Sequence, residues 1–126
     1  MGFFSSSKSS NLNAFIKQFD GGSKLFEWDG RKLKRTSGYT KEYEFDGKYV
    51  TENAGHKLFE WGNDCLTDYN RNKKILEWDG RYVTQSGGNK LYEYDGKYMK
   101  RCSDGSIVYE VDGNIPTAML MTFLMT

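Results

Sequence analysis

Lys90-Leu91-Tyr92-Glu93-Tyr94-Asp95-Gly96-Lys97-Tyr98-Met99-Lys100 carries the plan of the whole chain: an apolar-aromatic run, an Asp-Gly step, a cation, then a second β-prone run. Two such runs joined through Asp-Gly form a strong hairpin signal. A two-residue type I′ turn needs φ > 0 at both central residues, and glycine adopts that at no steric cost. The spacing therefore predicts a β-hairpin turning at Asp95-Gly96.

The same plan recurs on both sides. It stands at Leu25 to Gly30 (LFEWDG), Tyr43 to Gly47 (YEFDG), Leu58 to Asn63 (LFEWGN), Leu76 to Gly80 (LEWDG) and Tyr109 to Gly113 (YEVDG). Glu27, Glu44, Glu60, Glu77, Glu93 and Glu110 anchor the six units at intervals of 17, 16, 17, 16 and 17 residues, so units pair into 33-residue repeats opened by Lys24, Lys57 and Lys90. Periodicity of this kind marks a repeat architecture. A second set of turn residues separates the units: Ser37-Gly38, Ala54-Gly55, Asn70 to Asn72, Gly87-Gly88-Asn89 and Asp104-Gly105. The expected fold is all-β, an antiparallel meander of six tandem hairpin units.

With Asp29-Gly30 as the turn residues, Trp28 stands opposite Arg31, Glu27 opposite Lys32 and Phe26 opposite Leu33. Side chains alternate between faces, so one face collects Phe26, Tyr43, Phe59, Leu76, Tyr92 and Tyr109 before the glutamates. Trp28, Phe45, Trp61, Trp78, Tyr94 and Val111 follow them, and Leu33, Val50, Leu66, Val83 and Met99 lie on the return strands. That face is the expected core. The other holds the six glutamates, Tyr49, Tyr82, Tyr98, Lys32 and Lys34, with an apolar line at Leu25, Leu58, Ile75 and Leu91.

Twelve strands about 4.8 Å apart give a sheet about 58 Å wide. A sheet that wide covers its apolar face by curling into a flattened barrel, splitting into two layers or forming a ring-like repeat. A round barrel of this size leaves a lumen that wall side chains do not fill, because about eight strands is the self-filling size. The uncharged tail from Ile115 to Met125 is the natural plug or cap. Exposed instead, Ile115, Met119, Leu120, Phe123 and Leu124 would form an interface for a homo-oligomer or a partner chain. At the other terminus, Phe15 to Phe19 followed by Asp20 to Lys24 resembles Tyr82 to Thr84 followed by Ser86 to Lys90, a return strand and its turn. Pairing that strand with the last unit closes the ring and removes both edges. Pro116 stands where a final return strand needs an amide. The expected organisation is an N-terminal arm over residues 1–14, one repeat domain over 15–113 and an apolar tail over 114–126.

Tyr92-Glu93-Tyr94-Asp95-Gly96-Lys97 and Leu76-Glu77-Trp78-Asp79-Gly80-Arg81 resemble the YD-type hairpin repeats of Rhs-like proteins, over roughly Lys24 to Gly113. The family pattern places more residues between the Asp and the following Gly-Arg and has a longer period. The resemblance implies a shell-like or cell-surface scaffold, and it carries no site residues onto this chain.

Composition bounds the function. The 126 residues carry 18 Lys and Arg against 17 Asp and Glu, so no overall basic field draws in nucleic acid. Aromatics at 16% exclude wholesale disorder. Two cysteines, Cys65 and Cys102, are too few for a disulfide scaffold and are expected to be free thiols. The first residues lack a signal-peptide pattern, so a cytoplasmic location is the default expectation. Gly2 with Ser6 fits the loose myristoylation pattern. The lone His56 sits in an inter-unit turn, no Cys or His spacing suits a metal, and no glycine loop cradles a phosphate. A glutamate repeated in every unit serves a fold more readily than a unique catalytic constellation, so neither an enzyme nor a cofactor is expected. The leading expectation is a non-enzymatic structural or assembly module. The alternative is a multivalent module binding a small glycan or peptide at Glu27, Glu60, Glu93, Tyr49, Tyr82 and Tyr98 on the outer face, where weak equivalent sites gain by avidity.

Overall fold

The computed structural model of the protein describes residues 13–36, 42–52 and 55–126. The Gly2 and Ser6 pattern, the Ser37-Gly38 turn and Ala54 lie outside the described residues.

Twelve strands and one helix follow in order: β1 (Ala14–Gln18), β2 (Lys24–Trp28), β3 (Lys32–Arg35), β4 (Glu42–Phe45), β5 (Tyr49–Glu52) and β6 (His56–Gly62). The second half holds β7 (Cys65–Asp68), β8 (Lys73–Trp78), β9 (Tyr82–Gln85), β10 (Lys90–Tyr94), β11 (Tyr98–Arg101), β12 (Ile107–Asp112) and α1 (Thr117–Leu124). Each strand pairs antiparallel with its neighbours in sequence, and β1 pairs with β12, so the sheet is a closed barrel. Closure runs through Phe15 opposite Asp112, Ile16 opposite Val111 and Lys17 opposite Glu110. The N-terminal strand thus supplies the return strand that Pro116 denies the last unit, and the barrel begins at Ala14, inside the stretch expected to be an arm.

The tight turns differ from the expected form by one residue. Trp28 pairs with Leu33 and Glu27 with Lys34, and the Asp29 amide donates to the Lys32 carbonyl at 3.1 Å. The central pair is therefore Gly30-Arg31, with Gly30 at φ +102° in the first position that a type II′ turn reserves for glycine. Asp29 sits before the turn and caps it, accepting from the amides of Arg31 at 2.9 Å and Lys32 at 2.8 Å. Moving the turn centre by one residue shifts every cross-strand partner by two, which leaves the assignment of faces intact. Asp46, Asp79 and Asp95 repeat this cap. In the third unit Gly62 pairs with Cys65, and Asn63 and Asp64 both hold positive φ (51° and 58°). That one turn has the type I′ requirement expected of the others.

A second correction concerns Leu25, Leu58, Ile75 and Leu91. Ile16 pairs with Phe26 but Lys17 with Lys24, which leaves Leu25 as a bulged residue. The same irregularity isolates Leu58, Ile75, Leu91 and Val108. A bulge puts two residues opposite one and re-aims a side chain. Leu25 and Leu58 pack against the core beside β1 to β5, and Ile75 and Leu91 against the core beside β7 to β9, so the apolar line does not lie on the outer face. Their carbonyls stay satisfied by amides at the far end of the neighbouring strand, including Thr36 to Leu25 at 3.0 Å and Cys102 to Leu91 at 2.9 Å.

Helix α1 fills the lumen. A girth of about 58 Å across strands tilted by about 40° implies a backbone radius of roughly 12 Å. Inward side chains then leave a channel roughly the width of one α-helix, about 10 to 12 Å. Gly113, at φ +101°, turns the chain inward at the tight-turn end, and Pro116 starts the helix, accepting from the Leu120 amide at 3.1 Å. Ala118 through Phe123 are all buried, as befits a helix with no polar face. Met119, Leu120 and Phe123 pack with Phe26, Trp28, Leu33, Tyr43, Val50 and Val111, while Met121 packs with Leu66, Leu76 and Val83. Phe123 meets Phe26 and Tyr109 edge-on, with centroids 5.5 and 4.8 Å apart. The buried Thr122 hydroxyl donates to the Ala118 carbonyl at 2.8 Å. Ile115, Met119, Leu120 and Phe123 are buried within the barrel and Leu124 is half-buried against both core clusters. In this structure they form a plug and leave little surface for the interface considered from the sequence.

Candidate functional site

The outer face is built by the repeat itself. Each glutamate sits in the middle of its leading strand, where alternation turns it outward, and the cation after each tight-turn glycine overhangs the next unit. Arg31 Nε stands 2.5 Å from Glu44, Arg81 Nε 2.6 Å from Glu93, and the ammonium groups of Lys48 and Lys97 lie 3.9 and 3.8 Å from Glu60 and Glu110. Glu27 instead accepts from the Asn13 amide nitrogen at 2.6 Å. The third tight turn supplies Asp64 rather than a cation, and among the described residues Glu77 has no ion pair; it lies between Cys65 and Thr84.

The tyrosines stand one strand before these carboxylates. Tyr49 is directly opposite Glu60 and Tyr82 opposite Glu93, so four of the six outer-face candidates stand side by side. Tyr98 faces Glu110 rather than any nominated glutamate, and Glu27 lies between Phe15 and Lys34. Lysines cover the rings: Lys57 lies 4.2 Å over Tyr49 and Lys90 4.0 Å over Tyr82. Lys24 stands likewise 4.0 Å over Phe15. Phe15, Tyr49 and Tyr82 are thus equivalents, each followed 8 or 9 residues later by a lysine that opens a 33-residue repeat. The sequence already aligns the Phe15 strand with the Tyr82 strand, although Phe15 is not among the expected outer-face residues; 12 residues separate it from its glutamate, against 11 for Tyr49 and Tyr82. Edge-on contacts tie in Tyr69 to Tyr49 and Phe19 to Tyr98, both at 5.8 Å.

Ionisation follows these contacts. Hydrogen bonding to Glu93 and its charge hold the Arg81 guanidinium pKa above its ordinary value, and Glu44 does the same for Arg31. The amides of Tyr49 and Lys48 hold the Asp46 carboxyl below the usual carboxylate range, as those of Tyr82 and Arg81 do for Asp79 and those of Tyr98 and Lys97 for Asp95. Burial raises the Tyr94 hydroxyl. Each of these shifts moves its group further from neutrality.

Trp28 is buried, whereas Trp61 and Trp78 are only half-buried. Trp78 lies 6.2 Å from Tyr94, and both line a cleft of about 450 Å³ at the tight-turn end that Arg81, Glu93 and Asp95 border. His56 is exposed at the start of β6, and Cys65 and Cys102 are unbridged. Among the described residues, no three His, Cys, Asp or Glu side chains converge on a metal-sized space, and no helix is long and apolar enough to cross a membrane. No protein-family model, curated protein or solved structure matches the chain.

Proposed function

We propose that the protein is a non-enzymatic structural repeat module, a closed barrel that carries its own plug. The observation that supports this reading is the self-pairing of the outer ladder. Among the described residues four of the six glutamates pair with a cation of the preceding tight turn, and the three repeat-opening lysines each cover an aromatic ring one strand earlier, so these contacts tie neighbouring hairpins together. Exposed pairs of this kind are individually worth about 0 to 1 kcal/mol, so their value lies in fixing register around the barrel. A glycan array followed by tryptophan fluorescence titration tests the proposal. The expected result is no saturable change; saturation at two or more equivalent sites per chain overturns it.

One observation favours a second reading, binding of a small glycan or peptide: the cleft in which Trp78 and Tyr94 flank the carboxylates of Glu93 and Asp95. An aromatic platform beside carboxylates suits a sugar's apolar face and its hydroxyls. If that reading holds, Trp78→Ala abolishes binding while Trp61→Ala leaves it intact.

A further inference from the structure

The opposite end of the barrel holds a second cavity that the repeat ladder does not use. It measures about 490 Å³ and lies where α1 ends against β8, β10 and β11. Leu76, Leu91, Leu124 and Met125 give it an apolar floor, and Met125 is 44% exposed there. Its rim is polar, with Asn89, Arg101, Cys102 and Ser103. The volume falls within the range of about 300 to 1,000 Å³ that small-molecule sites occupy.

Two features specify the occupant. The bulge at Leu91 and the end of the plug together present aliphatic carbon to open space, which rewards a hydrocarbon chain. The cation at the rim is incompletely used. Arg101 Nε and Nη2 donate to Asp104 at 3.3 and 3.1 Å and Nη2 also to Ser106 at 3.3 Å, while Nη1 has no partner among the described residues. Lys90 contributes its stem, its ammonium being held over Tyr82. Cations outnumber acids at this end. Past the glutamates and the residues paired with them, the described strands and turns carry eight Lys and Arg against five Asp and Glu.

We propose that this cavity binds one free single-chain amphiphile with an anionic head, of the medium-chain carboxylate class, with its tail on Leu76, Leu91 and Leu124 and its head at Arg101 Nη1. This goes beyond the structural role and needs a single site per chain, whereas the repeat-borne reading needs several or a cleft at the other end.

The two thiols make the test direct, because Cys102 lines the cavity and Cys65 sits beside the tight turn at the far end. The full chain is treated with N-ethylmaleimide in the presence of dodecanoate below its micelle concentration, and each cysteine is followed by mass spectrometry. Dodecanoate protects Cys102 saturably and leaves Cys65 unchanged. Decanoate needs roughly tenfold more, for two fewer buried methylenes. Arg101→Gln raises the dodecanoate midpoint roughly tenfold, and Asp104→Asn, which removes the competing carboxylate, lowers it. Protection of neither thiol or of both alike overturns the proposal, as does equal protection by dodecyltrimethylammonium or protection only by anionic phospholipid vesicles.

Discussion

Ten of the described glycines adopt positive φ, yet among them Gly113 alone has no room for a side chain: a Cβ built there lies 2.8 Å from the Ala14 Cβ. Gly80, at φ +99°, meets nothing within 4 Å. Gly80→Ala therefore incurs only the backbone cost of about 1 to 2 kcal/mol, and Gly113→Ala adds about 1 to 3 kcal/mol of overpacking where β1 closes the barrel. Urea denaturation of the two variants checks the difference. The capping aspartates set the acid limb of stability. Asp46, Asp79 and Asp95 titrate lower folded than unfolded, so their contribution is complete above the unfolded value near 3.9 and is lost as pH falls through the folded values. Asparagine keeps the accepting oxygen and loses the proton site. The Asp46→Asn, Asp79→Asn, Asp95→Asn variant should show a urea midpoint that changes less between pH 5 and pH 2 than the parent's. These caps were hidden in the sequence because Asp-Gly reads first as the turn itself, and only the pairing of Trp28 with Leu33 reveals that aspartate precedes it.

At the scale of the strand, alternation located most of the core. Phe26, Leu33, Val50, Leu66, Val83 and Met99 are all buried as their parity requires. Alternation fails at the bulges, since an extra residue breaks parity locally and leaves no mark in a hydrophobicity pattern beyond two apolar residues in a row. Leu58 distinguishes the two descriptions. On a solvated face Leu58→Lys is neutral, but against the core it destabilises by about 1 to 2 kcal/mol, while Thr67→Lys, outward and opposite Glu60, stays within about 0.5 kcal/mol. Chemical denaturation of both variants reads the difference. The candidate site was legible in part. Alternation put Tyr49, Tyr82, Glu60 and Glu93 on one face, while their pairing across strands, and that of Asn13 with Glu27 near the barrel closure, came only with the structure. Helix α1 was legible as a plug but not as a helix, because an apolar run of this length has no periodicity to separate the two forms. The lumen decides: backbone groups inside an apolar wall must satisfy one another, and a single segment does so only as a helix.

At the scale of the molecule, twelve strands, one helix and one sheet closure are mutually necessary. The wall is too wide to fill itself, the plug has no polar face, and the N-terminal strand covers the edge that β12 would expose. Hydrogen exchange on the intact protein tests this most directly, with peptides covering α1 compared against those covering β1 and β12. A helix sealed in the lumen opens only when the barrel does, so the amides of Leu120 to Leu124 should exchange as slowly as those of Ile16 and Val111, in one cooperative unit. Full exchange of Leu120 to Leu124 within seconds, while the strands remain protected, would contradict the plugged barrel.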